Sequence, residues 1–148
     1  MENNKHIPIG RLLLDAFKWF DESLLASLKV QGWPNISHSQ STVMAYLPND
    51  GIRISELARR LGISRQAAQK SVRELEAVNL VKTEIDSSNL SAKIVLLTPQ
   101  GKAIVAAALA TFAEIESKLS ERIGQDTMLN LRLGLTKDWG TPIKIKLD

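Results

Sequence analysis

Cysteine is absent from the 148 residues. That excludes disulfides, thiolate metal sites and thiol redox sensing, and it fits a reducing compartment. Also missing is any apolar run near the ~20 residues that a membrane-spanning helix needs. The opening MENNKHIPIG lacks the basic-then-apolar pattern of a secretory signal, so a cytoplasmic location is expected. No internal repeat or low-complexity linker interrupts the chain. Gly10, Gly32, Gly51 and Gly62 are scattered and form no phosphate-binding loop, and there is no nucleophile elbow or metalloprotease motif. Carboxylates are paired at Asp21–Glu22 and Glu114/Glu116, but on helix faces expected to be exposed, where they read as solvated charge. The two histidines, His6 and His38, are too few for a histidine-rich zinc site. An enzyme, a metal site and a cofactor are therefore not expected.

What the chain does have is ordinary apolar content, 44%, enough for a core, and an uneven distribution of charge. The overall balance of +3 conceals it. From Arg53 to Arg73 there are six basic residues (Arg53, Arg59, Arg60, Arg65, Lys70, Arg73) against Glu56 alone, a local net of +5. The remaining 13 basic and 15 acidic residues leave −2. A positive field confined to 21 residues is the footprint of a polyanion-binding face.

The periodicity places this segment in an α-rich frame. Ile9 to Val30 reads as one long helix with Leu12, Leu13, Ala16, Phe17, Phe20, Leu24 and Leu28 at three- and four-residue spacing, ended by Gly32 and Pro34. Leu14, Trp19 and Leu25 fall off that stripe, and a helix apolar on more than one face meets a second body. Ser37 to Leu47 is a shorter helix with Val43, Met44 and Leu47 inward, followed by the turn PNDG. Ser55 to Leu61 makes two turns with Leu57, Ala58 and Leu61 inward. Gly62 supplies the left-handed residue at its end. Ser64 caps a helix running to about Val78 with Ala68, Ser71, Val72 and Leu75 inward and Ala67 near the helix crossing. Asn79 ends it, since Asn tolerates the left-handed conformation.

Helix, Gly-containing turn and capped helix make a helix-turn-helix. Leu80 to Asp86 and Ala92 to Leu97 then read as two strands around the polar tip SSNLS, which turns the motif into a winged helix. Thr98 and Pro99 open a further helix, apolar at Ala108, Phe112, Ile115 and Leu119, with Val105 and Leu109 broadening the face. Asp126 is expected to cap a final helix through Met128, Leu131, Leu135 and Trp139. The closing PIKIKLD alternates like a short edge strand.

In a winged helix the second helix of the pair fits the major groove of B-form DNA. Its outward residues here are Arg65, Gln66, Gln69, Lys70 and Arg73. Arg and Lys donate to guanine O6 and N7, and Gln pairs bidentately with adenine, so two amides flanked by cations suit base reading. Arg53, Arg59 and Arg60 are placed to neutralise phosphates, and the helix N-terminus at Ser64 favours another. Asn89 and Lys93 are the wing residues expected at the duplex.

The run GIRISELARRLGISRQAAQKSVRELEAVNLVKTEID, then AKIVLLTPQGKAI, resembles the MarR family of bacterial transcription regulators. The likeness is specific from Gly51 to about Lys102, and elsewhere rests on helix order. It implies a mainly α (α+β) winged helix-turn-helix over residues 36–97, flanked by dimerisation helices at 7–31 and 98–140 and a tail at 141–148, all one domain over 1–148. It further implies a homodimer in which the first and last helices interlock, binding a pseudo-palindromic operator as a repressor. Many such proteins release DNA when a small aromatic compound enters a crevice between the dimer helices and the winged domain. Trp19, Phe20, His38, Met44 and Phe112 are the residues here expected to line one.

The chain departs from the family pattern at three places. Asn79 replaces the usual Gly. The wing pattern of Asp, Asp and Arg is met by Asp86, Asn89 and Ser91, so the cation that enters the minor groove is missing. Arg53 stands where a Ser or Thr usually opens the helix before the turn, which shifts the expected cap to Ser55. Double-stranded DNA, a second copy of the chain and a small aromatic effector are thus the expected partners, with no membrane. The alternative is a winged-helix module that docks on proteins or coats DNA without sequence preference, for which the amides of Gln66 and Gln69 would be superfluous.

Overall fold

The computed structural model describes residues 6–147. Residues 1–5 and Asp148, the ends of the expected single domain and of its tail, lie outside the described residues. Internal packing divides the chain into two compact units, Met1–Ala113 and Glu114–Asp148. No helix among the described residues is long and apolar enough to cross a membrane.

In the first unit α1 (Ile9–Val30) has the bounds its periodicity predicts. Its end is chemically explicit: Gly32 N–H donates to Lys29 O and Trp33 N–H to Leu28 O, so two carbonyls of the last turn are satisfied. Only the lower half of the expected inward stripe is covered. Leu24 and Leu28 are buried, Leu13 and Phe20 are half-buried, and Leu12, Ala16 and Phe17 are exposed, as is Leu14 off the stripe. The helix α2 (His38–Ala45) opens on a full capping box, in which Ser37 accepts from the Gln40 amide and Gln40 Oε1 accepts from the Ser37 amide. Val43, Met44 and Leu47 turn inward as expected.

A turn closed by Gly51 N–H on Pro48 O leads into β1 (Ile52–Arg53), which the sequence reading missed. Two residues carry no alternation to read, and this strand exists because β3 (Asn89–Leu97) offers it an edge. Ile52 pairs with Val95 and Arg53 with Ile94, giving an antiparallel sheet ordered β1-β3-β2, with β2 spanning Val81–Asp86. The chain is therefore extended up to Arg53, and α3 (Ile54–Leu61) starts directly from it with no side-chain cap. Ser55 lies inside the helix, which corrects the cap expected there.

Gly62 has φ +64°, the left-handed conformation its position demands, and Ile63 N–H closes the helix end on Ala58 O. The helix α4 (Arg65–Ala77) follows, capped by Ser64 Oγ accepting from the Ala67 amide at 3.0 Å. Ala68 is fully buried as expected, whereas Ala67, expected near the helix crossing, is exposed. Asn79, at φ 59°, ends α4, and Leu80 N–H returns to Leu75 O. Leu57, Leu75, Leu80 and Val95 are fully buried and form the centre of the winged-helix core. Each such leucine contributes roughly 2 kcal/mol through the area it removes from water.

The wing tip is tighter than the five-residue loop expected. Ser87 and Ser88 make the turn, Asp86 pairs with Asn89, and the register shifts between Ile85 and Asp86. Asn89 and Ser91 thus belong to β3, because the bulge absorbs the residues that a longer loop would have held. Thr98 Oγ1 then caps α5 (Pro99–Ile123), accepting from Gly101 N at 2.9 Å while donating to Asn79 O at 2.6 Å. One hydroxyl ties the end of α4 to the start of α5. A Cβ at Gly101 would overlap the Leu80 carbonyl oxygen, so only glycine allows this approach.

In the second unit α6 (Gln125–Thr136) is preceded by Gly124 at φ 95° with no side-chain cap, so Asp126 lies in the first turn rather than capping it. There it still favours the positive helix end. Trp139 falls beyond the helix and donates from its indole to Gly134 O at 2.9 Å. Arg132 pairs with Glu116. Residues 141–147 form no strand and are exposed, which corrects the expected edge strand; alternation alone gives a strand nothing to pair with.

Candidate nucleic-acid interface

The helix α4 divides cleanly. Ala68, Ser71, Val72 and Leu75 are buried, and Arg65, Gln66, Lys70 and Arg73 are exposed, as a 3.6-residue period with one apolar stripe dictates. Gln69 is half-buried, at the edge of the exposed face. Ser64 sits at the head of the helix with its hydroxyl occupied by the cap. The structure thus brings Gln66, Gln69, Lys70 and Arg73 onto one side of a rigid rod, with the positive helix end beside Arg65.

The arginines expected at phosphates are already held. Glu56 accepts from Arg59 through Oε1 at 2.6 Å and Oε2 at 2.8 Å, and from Arg60 at 3.1 Å. These hydrogen bonds, Arg59 first, hold the Glu56 carboxyl down at about 2, and Glu56 in turn raises Arg59. Arg53 pairs with Asp86 at 2.6 Å. Asp86 also accepts from the Ser88 hydroxyl and amide, and these bonds, with that from Arg53, lower it to about 2. The +5 of the sequence is therefore partly neutralised in place. Among the described residues Arg65, Arg73 and Lys93 form no salt bridge, and Lys70 stands a long 3.9 Å from Glu74. Spacing shows the Glu56–Arg59–Arg60 cluster, since i to i+3 and i+4 are neighbours on a helix, but the charge count passed over it.

At the wing, Asn89 Oδ1 accepts from the Ser91 amide and hydroxyl, so the residues standing at the family's second Asp and Arg positions bind each other. Lys93 is exposed on β3.

A second feature lies in the same unit, a cavity of about 380 Å³ walled by α1, α2 and α5. Leu24, Leu28, Leu47 and Ile104 line it, with the aromatic rings of Phe17, Tyr46 and Phe112. Of the residues expected around a crevice, Met44 and Phe112 line it, and Trp19, Phe20 and His38 do not. Trp19 points away because Phe17, Asp21, Leu24 and Leu28 define the cavity side of α1 and residue 19 falls nearly opposite. Phe20 packs its ring 6.5 Å from that of Phe112. His38 is bonded through Nδ1 to Asp21 Oδ2.

Asp21 is the residue that sequence reasoning misplaced. It was expected on a solvated face with Glu22, yet it is only 5% exposed and lines the cavity. The signal was present: residues 17, 21, 24 and 28 form one stripe at helical spacing, and a carboxylate within an apolar stripe is buried with the stripe.

These elements define a winged helix-turn-helix protein with a cavity between its first helix and its winged core. A sequence model described as the MarR family matches residues 35–89. The HTH-type transcriptional regulator TcaR of Staphylococcus aureus is 26% identical over 99 residues, and the match spans 66% of each chain. Among solved structures, apo MarR from E. coli superimposes with a TM-score of 0.74 at 21% identity, covering 88% of this chain and 96% of that one. The transcriptional repressor CouR, solved bound to a 23-mer DNA duplex, gives 0.69 at 26% identity, covering 86% and 89%. Residues 35–89 thus carry the MarR-family sequence pattern, and the fold resembles that of the solved MarR-type winged-helix proteins.

Proposed function

We propose that the protein is a sequence-specific DNA-binding repressor, acting in the cytoplasm as a homodimer on a pseudo-palindromic operator. The observation that carries this reading is the exposed face of α4, where Gln66, Lys70 and Arg73 project from a helix whose other side is locked in the core. Two such helices, about one helical turn apart on the duplex, read successive major grooves. Arg65 and Lys93, with Arg53, Arg59 and Arg60 after exchange of carboxylate for phosphate, hold the backbone. Asn89 remains at the wing without a cation beside it, so α4 carries most of the sequence choice. CouR in complex with DNA supports the reading by likeness.

What one chain leaves uncovered supports the dimer. On α1, Ile9 is 71% and Phe17 55% exposed; on α6, Leu129 is 55% and Leu133 50%. Apolar faces of this extent are covered by a partner in a stable regulator. The cavity takes a small aromatic effector, which shifts the winged lobes only by binding one arrangement better than the other. The test is a titration of a fragment from upstream of the protein's own gene against random duplex, at two salt concentrations. A specificity ratio well above one supports the operator reading; a ratio of one rejects it.

A further inference from the structure

The cavity has a sign. Its lining is aliphatic and aromatic apart from Ser41, Thr42, Tyr46 and Asp21. Among the described residues Asp21 is the one charged group in that lining, which includes no lysine, arginine or histidine. A carboxylate only 5% exposed beside leucines is costly unless something compensates it. Half of that compensation is visible. His38 Nδ1 engages Oδ2, from a side chain that is itself 63% exposed, so the counter-group sits on the solvent side. Oδ1 receives no hydrogen bond among the described residues, yet it is not sealed from solvent contact.

We propose that the effector cavity selects hydrophobic ligands carrying a cationic amine, with Asp21 accepting the ammonium and the rings of Phe17, Tyr46 and Phe112 flanking it. Charge-assisted hydrogen bonds are the strong ones, and a desolvated carboxylate favours an ammonium over a neutral donor. Aromatic faces add attraction for the same charge. A ligand carboxylate in this position meets like charge at close range, and the one basic group beside it, His38, is already engaged with Oδ2. The inference rests on the reading of the cavity as an effector site, and it narrows the ligand from small aromatic to cationic aromatic. His38 acts as a resident partner that the ligand's ammonium displaces.

The experiment compares three probes of one shape: 4-tert-butylbenzylamine, the corresponding benzyl alcohol and the benzoate. Each is titrated into the full-length protein at neutral pH by calorimetry. The amine is expected to bind about tenfold or more tighter than the alcohol, and the benzoate most weakly. Asp21→Asn should erase the amine's advantage while the alcohol keeps its affinity. Because Asn at a buried site can disturb folding, His38→Ala provides a second arm on an exposed residue. Removing the resident partner should tighten the amine and leave the alcohol unchanged. Equal binding of all three probes, or a preference for benzoate, overturns the cationic assignment while leaving an effector site standing. Failure of all three to bind overturns the effector site itself, and the titration against operator DNA still judges the DNA-binding reading separately.

Discussion

Arg53 and Asp86 lie 33 residues apart in sequence, yet the Arg53 guanidinium stands 2.6 Å from Asp86 Oδ2, fastening the strand ahead of α3 to the tip end of the wing strand β2. Asp86 uses its other oxygen to hold the Ser88 amide and hydroxyl. One carboxylate thus fixes both the wing's turn and its attachment. Asp86→Ala should speed hydrogen exchange at Ser88 and its neighbours while leaving exchange in α4 unchanged. Unchanged protection at Ser88 would show that the wing is held by its strand pairing alone.

Glu56 sets how much of the positive face is available to DNA. With Arg59 and Arg60 both bound to it, their contact with phosphate competes with an internal partner. Glu56→Gln should raise affinity for operator and random duplex alike, and steepen the salt dependence by about one to two units. A loss of affinity would mean that Glu56 orients the arginines productively.

On the proposed reading α4 carries most of the base reading. Gln66→Ala or Lys70→Ala should cost about 1–3 kcal/mol on operator and relax sequence choice. Gln69 is half-buried, so Gln69→Ala also tests whether the edge of the face reaches a base. Equal loss on operator and random DNA would reassign these residues to the phosphate backbone.

The acid limb of stability has a definite sign. Glu56 and Asp86 are each held at about 2, below the ordinary 4.5 and 3.8. Their contribution is complete above those ordinary values and is lost as pH falls through the folded values. Carboxyl carbon shifts followed by NMR should show both groups still ionised near pH 3.8, where ordinary aspartates are half protonated. The double variant Glu56→Gln, Asp86→Asn should flatten the stability loss between about 4.5 and 2.

Two further substitutions separate core from surface. Gly101→Ala forces a methyl onto the Leu80 carbonyl and should cost about 3 kcal/mol in chemical denaturation. Leu14→Glu, at an exposed position of α1, should leave the circular dichroism unchanged and weaken the dimer in sedimentation. A wild-type chain that sediments as a single copy at working concentration would remove the dimer.

The sequence by itself determined the recognition helix. Ser64, Gly62 and Asn79 act on backbone groups within a few residues of themselves, and a 3.6-residue period decides which side of α4 is buried, so no distant contact was needed to read them. The same local chemistry placed α1 and the Thr98 cap. Tertiary structure decided the rest, because those features depend on residues that meet only after folding. The strand β1 exists because β3 passes beside it, and Arg53 lost its freedom to an aspartate 33 positions away. The cap expected from Asp126 and the strand expected from the tail were local patterns that no neighbouring backbone took up. Asp21 shows the division most plainly: helical spacing put it on the apolar stripe, but only packing against α2 decided that a carboxylate would be buried there and that His38 would meet it.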